Sequence, residues 1–164
     1  MKNAIERIRN LRVADVMSRE PVTVSANATM AEAAKVLCGE QIGGAPVVDE
    51  MGHCVGVLSS RDFAARDQKD TSGLSHSGLC DDFAVISSDP SGPMHIERFP
   101  EGSVRRYMQS TVQTVSDQTP LIDAATIMSN QHIHRLIVLD ETSHPVGIVT
   151  SIDLLKAIVH ELKH

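Results

Sequence analysis

The segment Val55-Gly56-Val57-Leu58-Ser59-Ser60-Arg61-Asp62 returns 91 residues later as Val146-Gly147-Ile148-Val149-Thr150-Ser151-Ile152-Asp153. Extending that register in both directions aligns residues 13–67 with 104–158 without a gap, and 16 of the 55 positions are identical. The matches include Val13 and Val104, Met17 and Met108, Thr23-Val24-Ser25 against Thr114-Val115-Ser116, Ala33-Ala34 against Ala124-Ala125, and Asp49-Glu50 against Asp140-Glu141. Self-similarity at a fixed offset marks a repeated structural unit. The chain is a tandem duplication.

Each copy carries the same order of elements. A short apolar run at residues 22–24, or 112–115, stops at Ser25 or Ser116 as a brief strand does. Met30, Ala33, Ala34 and Leu37 then recur at i, i+3, i+4, i+7, as do Leu121, Ala124, Ala125 and Met128, which predicts one buried helical stripe per copy. Thr29 suits the start of the first helix and Pro120 the first turn of the second. Residues 45–49 and 54–58, like 136–140 and 146–149, are β-rich runs around a short polar turn and predict antiparallel hairpins. A final helix is expected from about Asp62, and from residue 152 to about 162. The unit is β-α-β-β-α. At about 55 residues it buries only ~60% of its unfolded surface and is marginal alone. An α+β fold follows, with two repeats packed through their sheets in pseudo-two-fold symmetry.

The expected domains are a helical segment over 1–17, repeat 1 over 13–67, an irregular connection over 68–103 and repeat 2 over 104–164. In the first, residues 4–17 place Ile5, Ile8, Leu11 and Val16 on one side of a helix. The connection is rich in Gly, Ser, Pro and Asp, and Phe83-Ala84-Val85-Ile86 predicts an extra strand or turn within it.

Composition narrows the function. The 164 residues are 41% hydrophobic and 22% charged, which excludes a disordered or fibrous chain. A formal charge of -6 argues against a protein that grips nucleic acid through phosphates. No apolar run approaches the ~18 residues of a membrane span, and the charged start predicts no secretory leader, so the expected compartment is the cytoplasm. Cys38, Cys54 and Cys80 show no CxxC spacing, which points to reduced thiols. Ser59 and Thr150 have no His-acid partner at a recognisable spacing, and there is no P-loop or GxGxxG, so no enzyme is expected. His132 and His134 find no third ligand, so no metal site is expected. His53 and His144 coincide in the hairpin turns and read as solvated turn residues.

Both copies end their hairpin in Gly-x-x-Ser/Thr-x-x-Asp, and this pattern together with the preceding Ala-Pro-Val-Val-Asp-Glu (residues 45–50) resembles cystathionine-β-synthase (CBS) domains in tandem, the Bateman module. The resemblance covers both repeats and not the connection. It implies two clefts related by a pseudo-two-fold axis, each suited to an adenosine compound: AMP, ADP, ATP or S-adenosylmethionine. It implies regulation and energy sensing rather than catalysis, no required cofactor, a homodimer, and an unknown regulated partner acting in trans. A structural dimerisation module with empty clefts is the alternative.

The candidate ligand residues follow. Ser59 and Thr150 stand where a helix start presents amides and a positive dipole end to phosphate, and Asp62 and Asp153 stand three residues on, where the family's acid holds the ribose. The same spacing also fits a capping box, in which the acid serves the helix's own amides. Repeat 2 has His134-Arg135 where repeat 1 has Gly43-Gly44. The pair resembles that of the gamma regulatory subunit of AMP-activated protein kinase, which implies that repeat 2 holds the stronger anionic-ligand site, with Arg61 reaching the same phosphate. The resemblance assigns the adenine slots to Gly44-Ala45-Pro46 with Thr23-Val24, and to Leu136-Ile137 with Thr114-Val115, Ile137 replacing the family's usual proline.

Overall fold

The computed structural model describes residues 2–63 and 102–163. Along the chain the elements are α1 (Lys2–Asn10), a 3-10 turn (Val13–Asp15), β1 (Ser18–Arg19), β2 (Val24–Ser25), α2 (Met30–Gly39), β3 (Gly44–Val48), β4 (Cys54–Ser59), α3 (Val104–Tyr107), β5 (Thr114–Ser116), α4 (Leu121–Gln131), β6 (Arg135–Leu139), β7 (Pro145–Thr150) and α5 (Ser151–Lys163). Residues 60–63 are helical. The rest of that helix, the strand expected at 83–86, Cys80 and the connecting segment lie outside the described residues.

Local chemistry explains the helices. Thr29 Oγ1 accepts from the amide of Glu32 at 3.2 Å and Glu32 Oε2 accepts from the amide of Thr29 at 2.8 Å, a reciprocal cap that satisfies two orphan donors of α2. Pro120 precedes α4, which ends where His132 turns left-handed at φ 54° and its amide bonds back to Met128 and Ser129. The predicted stripes are the buried faces: Met30, Ala33, Ala34 and Leu37 of α2, and Leu121, Ala124 and Met128 of α4.

The described chain forms two compact units. One gathers residues 22–51, 55–63 and 102–110, and its sheet has the order β2-β3-β4, with β2 parallel to β3. Its core joins the α2 stripe to Val24, Ala45, Val47, Leu58, Phe63 and Val104. The other gathers residues 2–21, 52–54 and 111–163 around a sheet of order β1-β7-β6-β5. There β5 runs parallel to β6, β7 antiparallel to β6, and β1 antiparallel to the far edge of β7. The core is α4 and Leu154 against Val115, Leu136, Val138 and Val149, closed by Val13 and Met17.

The opening residues of each copy thus pack with the other copy's hairpin. Ser18 pairs with Ile148, and in the other unit Gln109 bridges Val57, the same contact displaced by the repeat offset. The recurring hairpin glycines make room for it. A Cβ on Gly147 would meet Met17 Sδ at 2.5 Å and Ser18 O at 3.0 Å, and one on Gly56 would meet Met108 Sδ at 2.6 Å and Gln109 O at 2.9 Å.

Two expectations are corrected. The amino-terminal helix stops at Asn10 rather than running to 17, because the chain turns through the 3-10 segment and Arg12 bridges Pro120. Ile5 consequently stands exposed, while Leu11 and Val16 pack on the core. His53 and His144 stand at the hairpin turns with their ring centroids 4.9 Å apart, the His144 side chain 40% exposed.

Candidate functional site

The site in the second repeat is built where β7 ends and α5 begins. The amide of Thr150 donates to Asp153 Oδ2 at 2.9 Å, the Thr150 hydroxyl donates to the same oxygen at 2.7 Å, and the amide of Asp153 donates to Thr150 Oγ1 at 3.3 Å. The amide of Ser151 donates to the carbonyl of His134 at 3.0 Å. In the first repeat the amide and hydroxyl of Ser59 donate to Asp62 Oδ2 at 2.7 and 2.9 Å, and the amide of Ser60 donates to the carbonyl of Gly43 at 3.1 Å. The second junction is therefore a reciprocal capping box and the first carries the acid half of one, so several of the amides that the sequence offered to phosphate are engaged by the chain itself.

Each cap uses one carboxylate oxygen, and the two aspartates differ in the other. Asp62 Oδ1 accepts from Gln109 Nε2 at 3.2 Å. The residue equivalent to Gln109 is Ser18, whose side chain is two atoms shorter than an amide reach requires. Among the described residues Asp153 Oδ1 has no hydrogen-bond donor. Asp153 lines a depression of about 300 Å³ together with Leu11, Asp15, Val16, Lys156, Ala157, His160 and Glu161. Beyond Asp153, sequence reasoning nominated none of these residues for the site. Three of them (156, 157 and 160) recur from Asp153 at i+3, i+4 and i+7, which was the readable signal.

Sheet register gathers the remaining second-repeat candidates. Arg135 lies directly opposite Thr150, Leu136 opposite Val149 and Ile137 opposite Ile148, while Thr114 pairs with Ile137 and Val115 with Val138. Paired residues share a face and successive residues alternate. Arg135, Ile137, Thr150 and Thr114 thus lie on the face opposite the helical core, and His134 and Arg135 are exposed. Leu136 and Val115 point into the core. They stand behind the expected slot and would offer no surface to a base. In the first repeat Val24 and Ala45 are likewise core residues, Gly44 and Pro46 are buried, and Thr23 and Arg61 are exposed.

Two α+β units, each with a parallel strand, a hairpin and an acid-capped helix start, define a repeated β-α-β-β-α class of fold. The model of the CBS domain matches residues 13–68 and again 104–160, and the chain belongs to the CBS domain family. It is similar to protein MJ1232 of Methanocaldococcus jannaschii, 29% identical over 94% of this chain and 42% of that one. It also resembles the CBS domain-containing protein DDB_G0289609 of Dictyostelium discoideum, 26% identical over 92% and 93%. The chain spans about two fifths of MJ1232 and about a fifth of the L-aspartate semialdehyde sulfurtransferase of the same archaeon. Among solved structures it resembles the CBS domain pair of MJ0100 in complex with 5′-methylthioadenosine and S-adenosyl-L-methionine (26% identity, 92% and 98% covered, TM-score 0.68). It also resembles the CBS domain of a membrane protein from Sphaerobacter thermophilus (27% identity, 95% and 93% covered, TM-score 0.71). Among the described residues no helix is long and apolar enough to cross a membrane.

Proposed function

We propose that this chain is a non-catalytic regulatory module that binds an adenosine-containing ligand, AMP, ADP, ATP or S-adenosylmethionine, and signals to a separate protein in the cytoplasm as a homodimer. The observation that carries the reading is Oδ1 of Asp153, which has no hydrogen-bond donor among the described residues, on a side chain that the cap holds through Oδ2 and that lines an open depression. A carboxylate fixed by one oxygen accepts from a ribose hydroxyl with the other at no reorganisation cost, and charge-assisted bonds of this kind are the strong ones. Arg135, in register with Thr150 on the sheet face opposite the helical core and outside the lining of that depression, adds a planar cation for a phosphate or carboxylate of the ligand. The ligands of the MJ0100 pair have the same chemistry. The ligand acts by its differential affinity for two states of the module.

The alternative, a structural module whose sites stay empty, draws support from the caps themselves, since Asp62 spends both oxygens within its own unit. Calorimetric titration with AMP, ADP, ATP and S-adenosylmethionine separates the two. At least one binds, more strongly at the site of Asp153 than at that of Asp62, so Asp153→Ala removes most of the heat and Asp62→Ala little. Absence of binding by all four establishes the structural reading.

A further inference from the structure

His53 and His144 occupy equivalent positions of the duplication and meet at the tips of the two hairpins, with ring centroids 4.9 Å apart and planes inclined at 55°. The backbone brings them there. The amide of Cys54 donates to the carbonyl of Ser143 at 2.9 Å, and residues 52–54 belong to the same compact unit as the whole second hairpin. Gly52, at φ 85°, makes room for the His144 ring: a Cβ there would stand 3.0 Å from its Cδ2 and 3.3 Å from its Nε2. The Cδ2–Nε2 edge of His144 therefore faces the turn that carries His53.

The other edge of His144 is fixed by its own turn. Thr142 Oγ1 lies 2.8 Å from His144 Nδ1 and 2.8 Å from Asp140 Oδ1. A hydroxyl has one proton, and Thr142 gives it to the Asp140 carboxylate, which can only accept. In the neutral ring Nδ1 is then the donor to Thr142, which assigns the Nδ1–H tautomer and puts the lone pair on Nε2, on the side of the first hairpin's turn. An imidazole steered through one nitrogen by a hydroxyl and a carboxylate behind it is the arrangement that supports metal-bound histidine. The ring spacing agrees: with metal–nitrogen bonds of about 2.0–2.1 Å, two imidazoles on one tetrahedral ion have centroids roughly 5 Å apart. Edge-to-face rings would stand nearer perpendicular, and stacked ones nearer parallel. The His144 side chain is 40% exposed, so an ion held there keeps water in its remaining positions.

We propose that His53 and His144 form a two-histidine site for a divalent cation of the zinc and nickel type, which ties the turn of the first hairpin to that of the second. The proposal is independent of the nucleotide reading. Calorimetric titration of the untagged full chain with zinc chloride and nickel chloride, in a buffer that does not bind metal, finds one site per chain. Magnesium chloride, whose ion takes oxygen ligands, gives no heat there. The chain has eight histidines and three cysteines, so variants decide which of them bind. His53→Gln and His144→Gln each weaken the site at least tenfold, and His132→Gln leaves it unchanged. Thr142→Val removes the steering hydroxyl and weakens it about tenfold, as loss of a group behind a metal ligand does, whereas Thr142→Ser restores it. Zinc raises the melting temperature of wild type and of His132→Gln but of neither His53→Gln nor His144→Gln. Long-range nitrogen-15 spectra of wild type test the geometry without any variant: His144 is in the Nδ1–H form in metal-free protein, and zinc shifts its Nε2. Zinc binding that survives in both single variants, or a metal-free His144 protonated on Nε2 alone, overturns the proposal. So does a chain that binds neither zinc nor nickel, which makes the two rings a packing contact.

Discussion

At the scale of the residue, the proposed function gives one carboxylate two jobs that a substitution separates. Asp153 caps α5 through Oδ2, and its Oδ1 has no donor among the described residues. An asparagine keeps one carbonyl oxygen for the cap and loses the charge. Asp153→Asn therefore leaves the urea midpoint within the cost of one weakened cap, about 1 kcal/mol, while ligand affinity falls at least tenfold. Equal losses in both measurements make Asp153 a cap alone. Two other carboxylates carry a pH signature. Accepting the backbone amide and then the hydroxyl of Thr29 holds the Glu32 carboxyl below its ordinary value. The amide of His144, then the hydroxyl of Thr142, does the same for Asp140. A depressed folded value means stability that is fully present above the unfolded value of about 4 and is lost as pH falls through the folded one. Melting temperature thus drops on acidification below about pH 4, and Glu32→Gln with Asp140→Asn makes that drop shallower; an identical profile in the variant removes both groups from the account. The Ser/Thr-x-x-Asp spacing was legible in the sequence, but the fate of the second oxygen was not. It depends on whether Gln109 or Ser18 comes alongside, a contact made across 47 residues in the first case.

At the scale of the element, helices α2 and α4 were written in local code and strand β1 was not. Thr29 and Glu32 three apart, followed by an apolar period, can be read as a capped helix because every partner lies within one turn. Thr29→Ala accordingly costs about 1 kcal/mol, within the range of 0.5–2 for such caps, measured as a shift in the urea midpoint at constant slope. The strands β3, β4, β6 and β7 appear within one or two residues of their expected bounds, since a hairpin is also local. By contrast β1 is two residues long and exists only through its pairing with β7. No periodicity announces a two-residue strand. The glycine that admits it was visible as a repeat match, yet its reason is the backbone oxygen of Ser18, 3.0 Å from where a Cβ on Gly147 would stand. A flexible methionine can shift, but a paired backbone cannot. Gly147→Val is therefore expected to destabilise by roughly 1–3 kcal/mol, as overpacking does, and a neutral result in chemical denaturation contradicts the close approach.

At the scale of the whole molecule, duplication and cooperativity do not share boundaries. The repeat register divides the chain at the start of each copy, whereas the compact units take residues 2–21 with the second copy's sheet and residues 102–110 with the first. The sequence comparison could not show this, because identity reports descent and says nothing about which sheet a segment joins. Val13 is wholly buried and Met17 nearly so in the core formed with α4, β6 and β7. Val104 is equally buried against the α2 stripe. A fragment cut along the repeat, residues 104–164, lacks Val13, Met17 and β1 and opens the core where they sat. Losing two large buried side chains costs several kcal/mol, comparable with the whole stability of so small a domain. That fragment is expected to show no cooperative urea transition. Residues 1–21 joined to 111–164 by a flexible Gly/Ser linker of about 20 residues restore every residue of that core, and a sigmoidal transition returns with them. If the repeat fragment unfolds as sharply as the rejoined unit, the amino-terminal segment is an accessory and each copy is a folding unit on its own.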